Sequence, residues 1–360
     1  MMAGQKIVQM LPTITFGDGV SNDALMMDRI LREMGYKTGI YAQNIGSRLP
    51  VGVVQKVEKL PKLSREDVVL YHFSTGTELN RSVANLPCRK VMVYHNITPK
   101  RFLLPYNADA AVLCDSGRKD LAATKDMFEL CIADSDYNRQ ELLELGYSCR
   151  TEVLPIVIPF EDYEKEPDRH TLEKYKDDKT NLLFVGRIAP NKCQEDVIGT
   201  FYYYHTYINP ESRLFLVGSE EGMERYRKRL EEYAEKLGIK DSVVFTGKIK
   251  FAEILAYYRL ADAFVCMSEH EGFCIPLLEA MKMEVPVVAY DAAAVGETMG
   301  DVGIRLKEKD LQVAAEWVHQ LCSNEKLREK VITDQKKRLD FFAAQRTEQQ
   351  FRQIVESLAV

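Results

Sequence analysis

The sequence predicts an α/β protein built from two doubly wound, parallel-sheet domains, and three observations carry that reading. The chain has 360 residues of which 46% are apolar, enough for two cores of ordinary size rather than one extended domain. Short apolar runs alternate along its whole length with longer amphipathic segments, as expected when crossover helices cover a parallel sheet. Between Pro155 and Lys179 the pattern breaks into "PIVIPFEDYEKEPDRHTLEKYKDDK", charged and punctuated by Pro155, Pro159 and Pro167, which reads as a linker.

In the first half, strands are expected near "KIVQML" (6–11), "KTGIYA" (37–42), "VVLYHF" (68–73), "VMVYH" (91–95), "LCIAD" (130–134) and "TEVLP" (151–155). A helix fits "DALMMDRILREMG", where Leu25, Met26, Ile30, Leu31 and Met34 share one face and Gly35 stands at the carboxyl cap. In the second half, strands are expected at "NLLFVG" (181–186), "RLFLVG" (213–218), "SVVFTG" (242–247), "AFVCMS" (263–268) and "VPVVAY" (285–290), separated by helices. After Leu306 the chain reads as mostly helical. Two such sheets would enclose a cleft, with ligands beyond the carboxyl ends of the strands.

A net charge of −6 argues against nucleic acid as the main partner, because phosphate neutralisation needs surplus Lys and Arg. Eight scattered cysteines without a C-x-x-C pair suit a reduced compartment. The opening "MMAGQKIVQMLP" is too short in apolar residues for a signal peptide, and no run reaches about 18 apolar residues, so a cytoplasmic protein is expected, with peripheral contact at the inner membrane surface left open.

Four strand-end loops hold unusual residues. In "FGDGVSND", Gly17 and Gly19 precede a helix beginning near Asn22 or Asp23, either as a plain tight turn or as backbone that approaches an anion. In "YHNITP", His95 ends a strand; it is either a satisfied buried histidine or a site residue, and His72 has a weaker claim. In "VGRIAPNKCQEDVI", Arg187 and Lys192 flank a strand-to-helix junction, as surface charges or as donors to a diphosphate. In "SEHEGFCIPLLEAMKMEVPVVAYD", Pro276 suits a first helical position, placing Glu279 in the first turn and Glu271 in the loop. The two acids either cap the helix or, with amides at 272–274, accept from and donate to the hydroxyls of a ligand.

Gly186, Arg187 and Lys192, then "VVFTGK" (243–248), then E-G-F-x-x-P-x-x-E-A-M from Glu271 to Met281, then "PVVAYD" and Gly296-Glu297, resemble the retaining, nucleotide-sugar-dependent glycosyltransferases of family four. "DGV", "EMGYKTGIY", "YHNITP" and "ADSDYNRQEL" extend the resemblance to the first half. It implies the GT-B architecture: a Rossmann-like acceptor-binding domain over 1–160, a donor-binding one over 161–340, and a terminal helix (341–360) packing back on the first domain through Phe341, Phe342, Phe351, Ile354 and Leu358. It further implies that Arg187 and Lys192 hold the donor diphosphate, that Glu279 holds the ribose, and that Glu271 with the amides of Gly272, Phe273 and Cys274 faces the sugar. His95 would lie near the reacting side, Gly19 near the phosphates, and the backbone of Thr246, Gly247 and Lys248 near the base. Asp18-Gly19 departs from the two adjacent glycines usual at that point.

The resemblance implies no metal or other cofactor, a nucleotide-sugar donor as co-substrate, and a glycan or lipid-linked acceptor. The basic and apolar stretch Lys100 to Leu104 is either a membrane or acceptor contact or a solvated loop with a packed anchor. A nucleotide-sugar epimerase, a phosphorylase and a non-catalytic sugar-nucleotide-binding subunit share the architecture. Product formation without acceptor, bound pyridoxal phosphate, or loss of the Arg, Lys and Glu set would mark each in turn.

Overall fold

The computed structural model describes residues 5–358 apart from 16, 47, 48, 50 and 51. The described chain divides into two compact units, one of Met1–Lys100, Ala111–Ile158 and Phe342–Val360, the other of Arg101–Ala110 and Pro159–Phe341.

The first unit holds strands β1 (Ile7–Ile14), β2 (Ile40–Ile45), β3 (Val54–Lys56), β4 (Val68–Phe73), β5 (Arg89–Tyr94), β6 (Leu130–Ala133) and β7 (Arg150–Val153), ordered β3-β2-β1-β4-β5-β6-β7 in one parallel sheet. β3, which the sequence reading lacks, is three residues of "VQK" at the sheet edge, too short and too polar to show a strand period. One face of the sheet packs Ile7, Val68, Val91 and Ile132 against Met27, Ile30 and Leu31 of helix Gly19–Glu33. Phe351, Ile354, Val355 and Leu358 of helix Ala344–Leu358 close the same layer. Phe342 is buried in this unit, whereas Phe341 is exposed, belongs to the second unit and lies under the Arg338 guanidinium.

Helix Gly19–Glu33 begins earlier than Asn22 or Asp23. Gly19, Val20 and Ser21 have weak helix propensity, but extended Asp18 acts as the N-cap, and its carbonyl accepts the first helical bond from Asn22. Phe16, at the start of that loop, lies outside the described residues.

The second unit holds β8 (Thr180–Val185), β9 (Ser212–Val217), β10 (Val243–Phe245), β11 (Ala263–Cys266), β12 (Val287–Tyr290) and β13 (Ile304–Leu306), ordered β10-β9-β8-β11-β12-β13 and again parallel. β13 is a second three-residue edge strand absent from the sequence reading. In both sheets the order reverses at one point, between β1 and β4 and between β8 and β11, the place where doubly wound sheets open for ligands.

The segment Arg101–Ala110, expected in the first domain, packs with the second unit. Asn107 donates to the Gly222 carbonyl at 2.8 Å, Tyr106 meets Tyr226 edge to face, and Arg229 donates to the Tyr106 hydroxyl. Leu103 is its packed anchor, while Leu104 is exposed.

Candidate active site

Three loops at the carboxyl end of the second sheet are locked together by backbone. Gly186 follows β8, and Gly218 follows β9 and bridges Gly247 beyond β10. A Cβ on Gly218 would lie 1.9 Å from the Gly186 carbonyl oxygen, so no other residue fits there. Ile188 donates to the Ser219 carbonyl, and Thr246 donates to the Leu216 carbonyl, continuing the ladder past the strand end. Gly247 takes a positive φ and Lys248 is exposed.

The loop after β8 carries Arg187, which is exposed and has no ion-pair partner among the described residues. Its backbone carbonyl is held by the buried Gln194 side chain. Lys192 closes the helical turn Pro190–Lys192, just before Cys193 in left-handed conformation and helix Gln194–Tyr207. Asn191 ties this loop to the one after β11: its side chain donates to the His270 carbonyl at 2.9 Å, and its own carbonyl accepts from the Glu269 amide at 2.9 Å.

This bracing brings Lys192 and Glu271 into contact. The ammonium lies 2.6 and 2.5 Å from the two carboxylate oxygens, with side chains 19% and 7% exposed. Burial is the largest single influence on Lys192 and disfavours its charge. The Glu271 carboxylate and the neighbouring Cys274 and Cys266 outweigh it, so the pKa stands above the ordinary lysine value. The resemblance implies Lys192 at a diphosphate and Glu271 at a sugar; in the structure the two side chains also form one ion pair.

Helix Ile275–Lys282 starts one residue before the position expected from Pro276. Cys274 is its left-handed N-cap and Pro276 its second residue, so Glu279 falls in the second turn rather than the first. Glu279 is therefore not a helix cap. Its carboxylate accepts from the hydroxyls of Tyr163 and, at 2.7 Å, Tyr258. Burial pushes its pKa above the usual range, and the two hydroxyls pull it part of the way back. Thr298 donates to the Phe273 carbonyl, fixing the turn that carries Gly272 and Phe273.

In the first unit, Gly19 opens its helix, and Asp18 accepts from the Ser21 hydroxyl at 2.9 Å. His95 follows β5, and its ring is only 1% exposed. Gln9 donates through Nε2 to the Ala24 carbonyl, which aims Oε1 at His72 Nε2 at 2.9 Å. His72 Nε2 therefore carries a proton and a neutral His72 accepts at Nδ1, 2.8 Å from His95 Nε2. Since His95 Nδ1 also meets Asp134 at 2.9 Å, His95 donates from both nitrogens as an imidazolium. Burial and the charge of His95 press the His72 pKa well below its normal value. Burial likewise opposes His95, but Asp134, Asp23 and Asp18 prevail and raise it. Asp23, pushed up to about 7 by burial against the pull of His95, completes the cluster.

Among the described residues three groups could offer ligands to a metal ion: Asp23, His72 and His95; Cys266, Glu271 and Cys274; and Cys193, Asp196 and Glu269, with the ligand atoms of each within 4.8 Å of one another. In the first a proton bridges the two rings; in the second the Lys192 ammonium supplies the positive charge.

Two parallel doubly wound units with this strand-end set make the fold GT-B, and residues 164–338 match the glycosyl transferases group 1 family. Over 98% of this chain the fold superposes on 99% of Anabaena HepE, solved in complex with UDP-glucose, with a TM-score of 0.74 and 18% identity. It is similar, also with a TM-score of 0.74, to sucrose-phosphate synthase from Thermosynechococcus elongatus, at 15% identity over 98% of this chain and 99% of that one. Among curated proteins, alpha-monoglucosyldiacylglycerol synthase of Streptococcus pneumoniae is 29% identical over 166 residues, 44% of this chain and 36% of that protein. A GDP-mannose-dependent alpha-mannosyltransferase of Mycolicibacterium smegmatis is 32% identical over 126 residues, 35% of this chain and 29% of that protein. The aligned stretches thus span about a third of these curated relatives.

Proposed function

We propose that the protein is a retaining glycosyltransferase that moves a sugar from a nucleoside-diphosphate sugar to an acceptor hydroxyl without a metal. The observation that carries this reading is the Lys192–Glu271 pair, braced by Asn191 beside exposed Arg187 at the carboxyl end of β8. An ammonium has three N–H donors, and Glu271 takes two, so one stays available for a phosphate oxygen. Arg187 adds a planar fork suited to the second phosphate. Together they neutralise the charge that grows on a departing nucleoside diphosphate, the task a metal performs elsewhere.

In this reading the second unit binds the donor and the first unit the acceptor. Glu279 accepts from the ribose hydroxyls, backbone at 246–248 meets the base, and Glu271, held in place by Lys192, accepts from hydroxyls of the transferred sugar. His95, locked in its buried chain, holds the end of β5 at the acceptor-binding unit. HepE with its UDP-glucose and the GDP-mannose-dependent relative support a nucleotide-sugar donor and make UDP and GDP the first nucleotides to test. The acceptor is proposed to be a glycan or lipid-linked sugar, at the cytoplasmic membrane surface.

The test is a thermal scan against UDP-, GDP- and ADP-sugars, followed by hydrolysis of the best in the presence of EDTA. Stabilisation by one class and hydrolysis insensitive to chelation are expected. No stabilisation by any of them would sink the reading, and conversion to a second nucleotide sugar without release of the nucleotide would make the protein an epimerase.

A further inference from the structure

Glu279 stands where three elements converge. It lies on helix Ile275–Lys282, Tyr163 on the helical turn Phe160–Glu164, and Tyr258 on helix Phe251–Leu260. Tyr163 donates to Oε1 and Tyr258 to Oε2, one hydroxyl for each oxygen. Both tyrosines are buried, yet Glu279 itself is only half-buried. Phe251 meets the Tyr163 ring edge-on at 5.3 Å, and Tyr258 lies nearly parallel to Phe264 at 6.4 Å, so neither ring can swing away cheaply. Burial and the adjacent carboxylate push both phenols far above their normal pKa, so they stay O–H donors at any working pH.

A carboxylate offers about four lone-pair positions, and the terminal torsion of a glutamate is a broad, soft rotor. With one position on each oxygen taken by a tyrosine, one on each remains, and the torsion is fixed. We infer that Tyr163 and Tyr258 are positioning residues that set Glu279 as a matched pair of acceptors for the vicinal diol of a ribose. They thereby give the site a preference for ribonucleoside over 2′-deoxyribonucleoside diphosphates. The inference rests on the proposed role of Glu279 at the ribose.

The test is equilibrium binding of UDP or GDP, whichever binds more tightly, and of its 2′-deoxy counterpart, to the wild type, Tyr163→Phe, Tyr258→Phe and Glu279→Gln. The wild type is expected to prefer the ribonucleotide by roughly tenfold or more, since a hydroxyl bonded to a charged group is the stronger kind of hydrogen bond. Each Tyr→Phe change should remove most of that preference while leaving deoxynucleotide binding nearly unchanged. It should also move the acid limb of ribonucleotide binding to higher pH, because Glu279 loses a donor that favours its ionised form. A change that only loosened packing would weaken both nucleotides alike and leave the acid limb where it was; that outcome overturns the inference. If the wild type discriminates and only Glu279→Gln abolishes the preference, the inference fails while the ribose reading stands. If the wild type does not discriminate, the ribose reading itself fails. Should Tyr163→Phe not fold, Tyr258→Phe reads the same quantities.

Discussion

Replacing Lys192 by alanine leaves Glu271 as an uncompensated, 93%-covered carboxylate, since both hydrogen bonds that the structure gives this carboxylate come from Lys192. Removing one partner of a buried pair costs about 3–5 kcal/mol. The residual exposure of Lys192, 19% of its side chain, lets water relax part of the loss, so about 3 kcal/mol is expected, roughly a hundredfold in the unfolding equilibrium. Trp317 is the sole tryptophan and lies in the second unit, so urea unfolding followed by its fluorescence reads the unit in question. The paired change Lys192→Met with Glu271→Leu removes both charges and should return most of the stability, giving a coupling of about 2 kcal/mol or more. Sugar-nucleotide hydrolysis should stay more than about tenfold below wild type in the single and the double variant, because in the proposed function the charges serve the leaving group and the sugar. A Lys192→Ala protein within about 0.5 kcal/mol of wild type, or strict additivity in the double variant, would refute the reasoning.

The same logic gives further expectations. Glu271→Ala should lower turnover more than about tenfold with circular dichroism unchanged. Gly218→Ala should not assemble the site, because its Cβ would meet the Gly186 carbonyl at 1.9 Å, and is expected to lose nucleotide-induced stabilisation and to express poorly. Asp23 binds a proton more tightly folded, with a pKa of about 7 against 3.8, so its ionisation costs stability as pH rises between those values. Asp23→Asn should remove a slope of up to about 1.4 kcal/mol per pH unit from the first unit across that window, read as the difference between variant and wild-type melts. The raised His95 pKa adds stability that is complete below 6.5 and lost as pH climbs through its folded value; nitrogen NMR should show two N–H groups on His95 and one, at Nε2, on His72.

Much of this fold was legible because buried parallel strands such as "VVLYHF" and "NLLFVG" are apolar runs of the right length between amphipathic helices. Edge strands Val54–Lys56 and Ile304–Leu306 were not, since "VQK" and "IRL" are three residues each with polar or charged members, whereas the equally short edge strand Val243–Phe245 is wholly apolar. The strand-end residues were legible one loop at a time. That Lys192 and Glu271 touch across a separation of 79 residues depends on strand order and on the Asn191 brace, neither of which leaves a periodic trace. The same holds for His72 and His95: each reads as a histidine ending an apolar run, and only the pairing of β4 with β5 sets His72 Nδ1 2.8 Å from His95 Nε2. Tyr163 was hidden most fully, because it lies in a charge-rich, proline-punctuated stretch whose composition says linker, while its hydroxyl serves a carboxylate 116 positions away.

The central claim is that the second unit carries a nucleotide-sugar site centred on Arg187, Lys192, Glu271 and Glu279. Calorimetric titration of UDP, GDP and ADP into the wild type and into Arg187→Ala bears on it most directly, because exposed Arg187 has no ion-pair partner to lose among the described residues. At least one diphosphate should bind to the wild type, and it should bind at least about tenfold more weakly to Arg187→Ala, whose melting temperature stays at the wild-type value. Equal affinity for the two proteins, or no heat from any of the three nucleotides, would contradict the account.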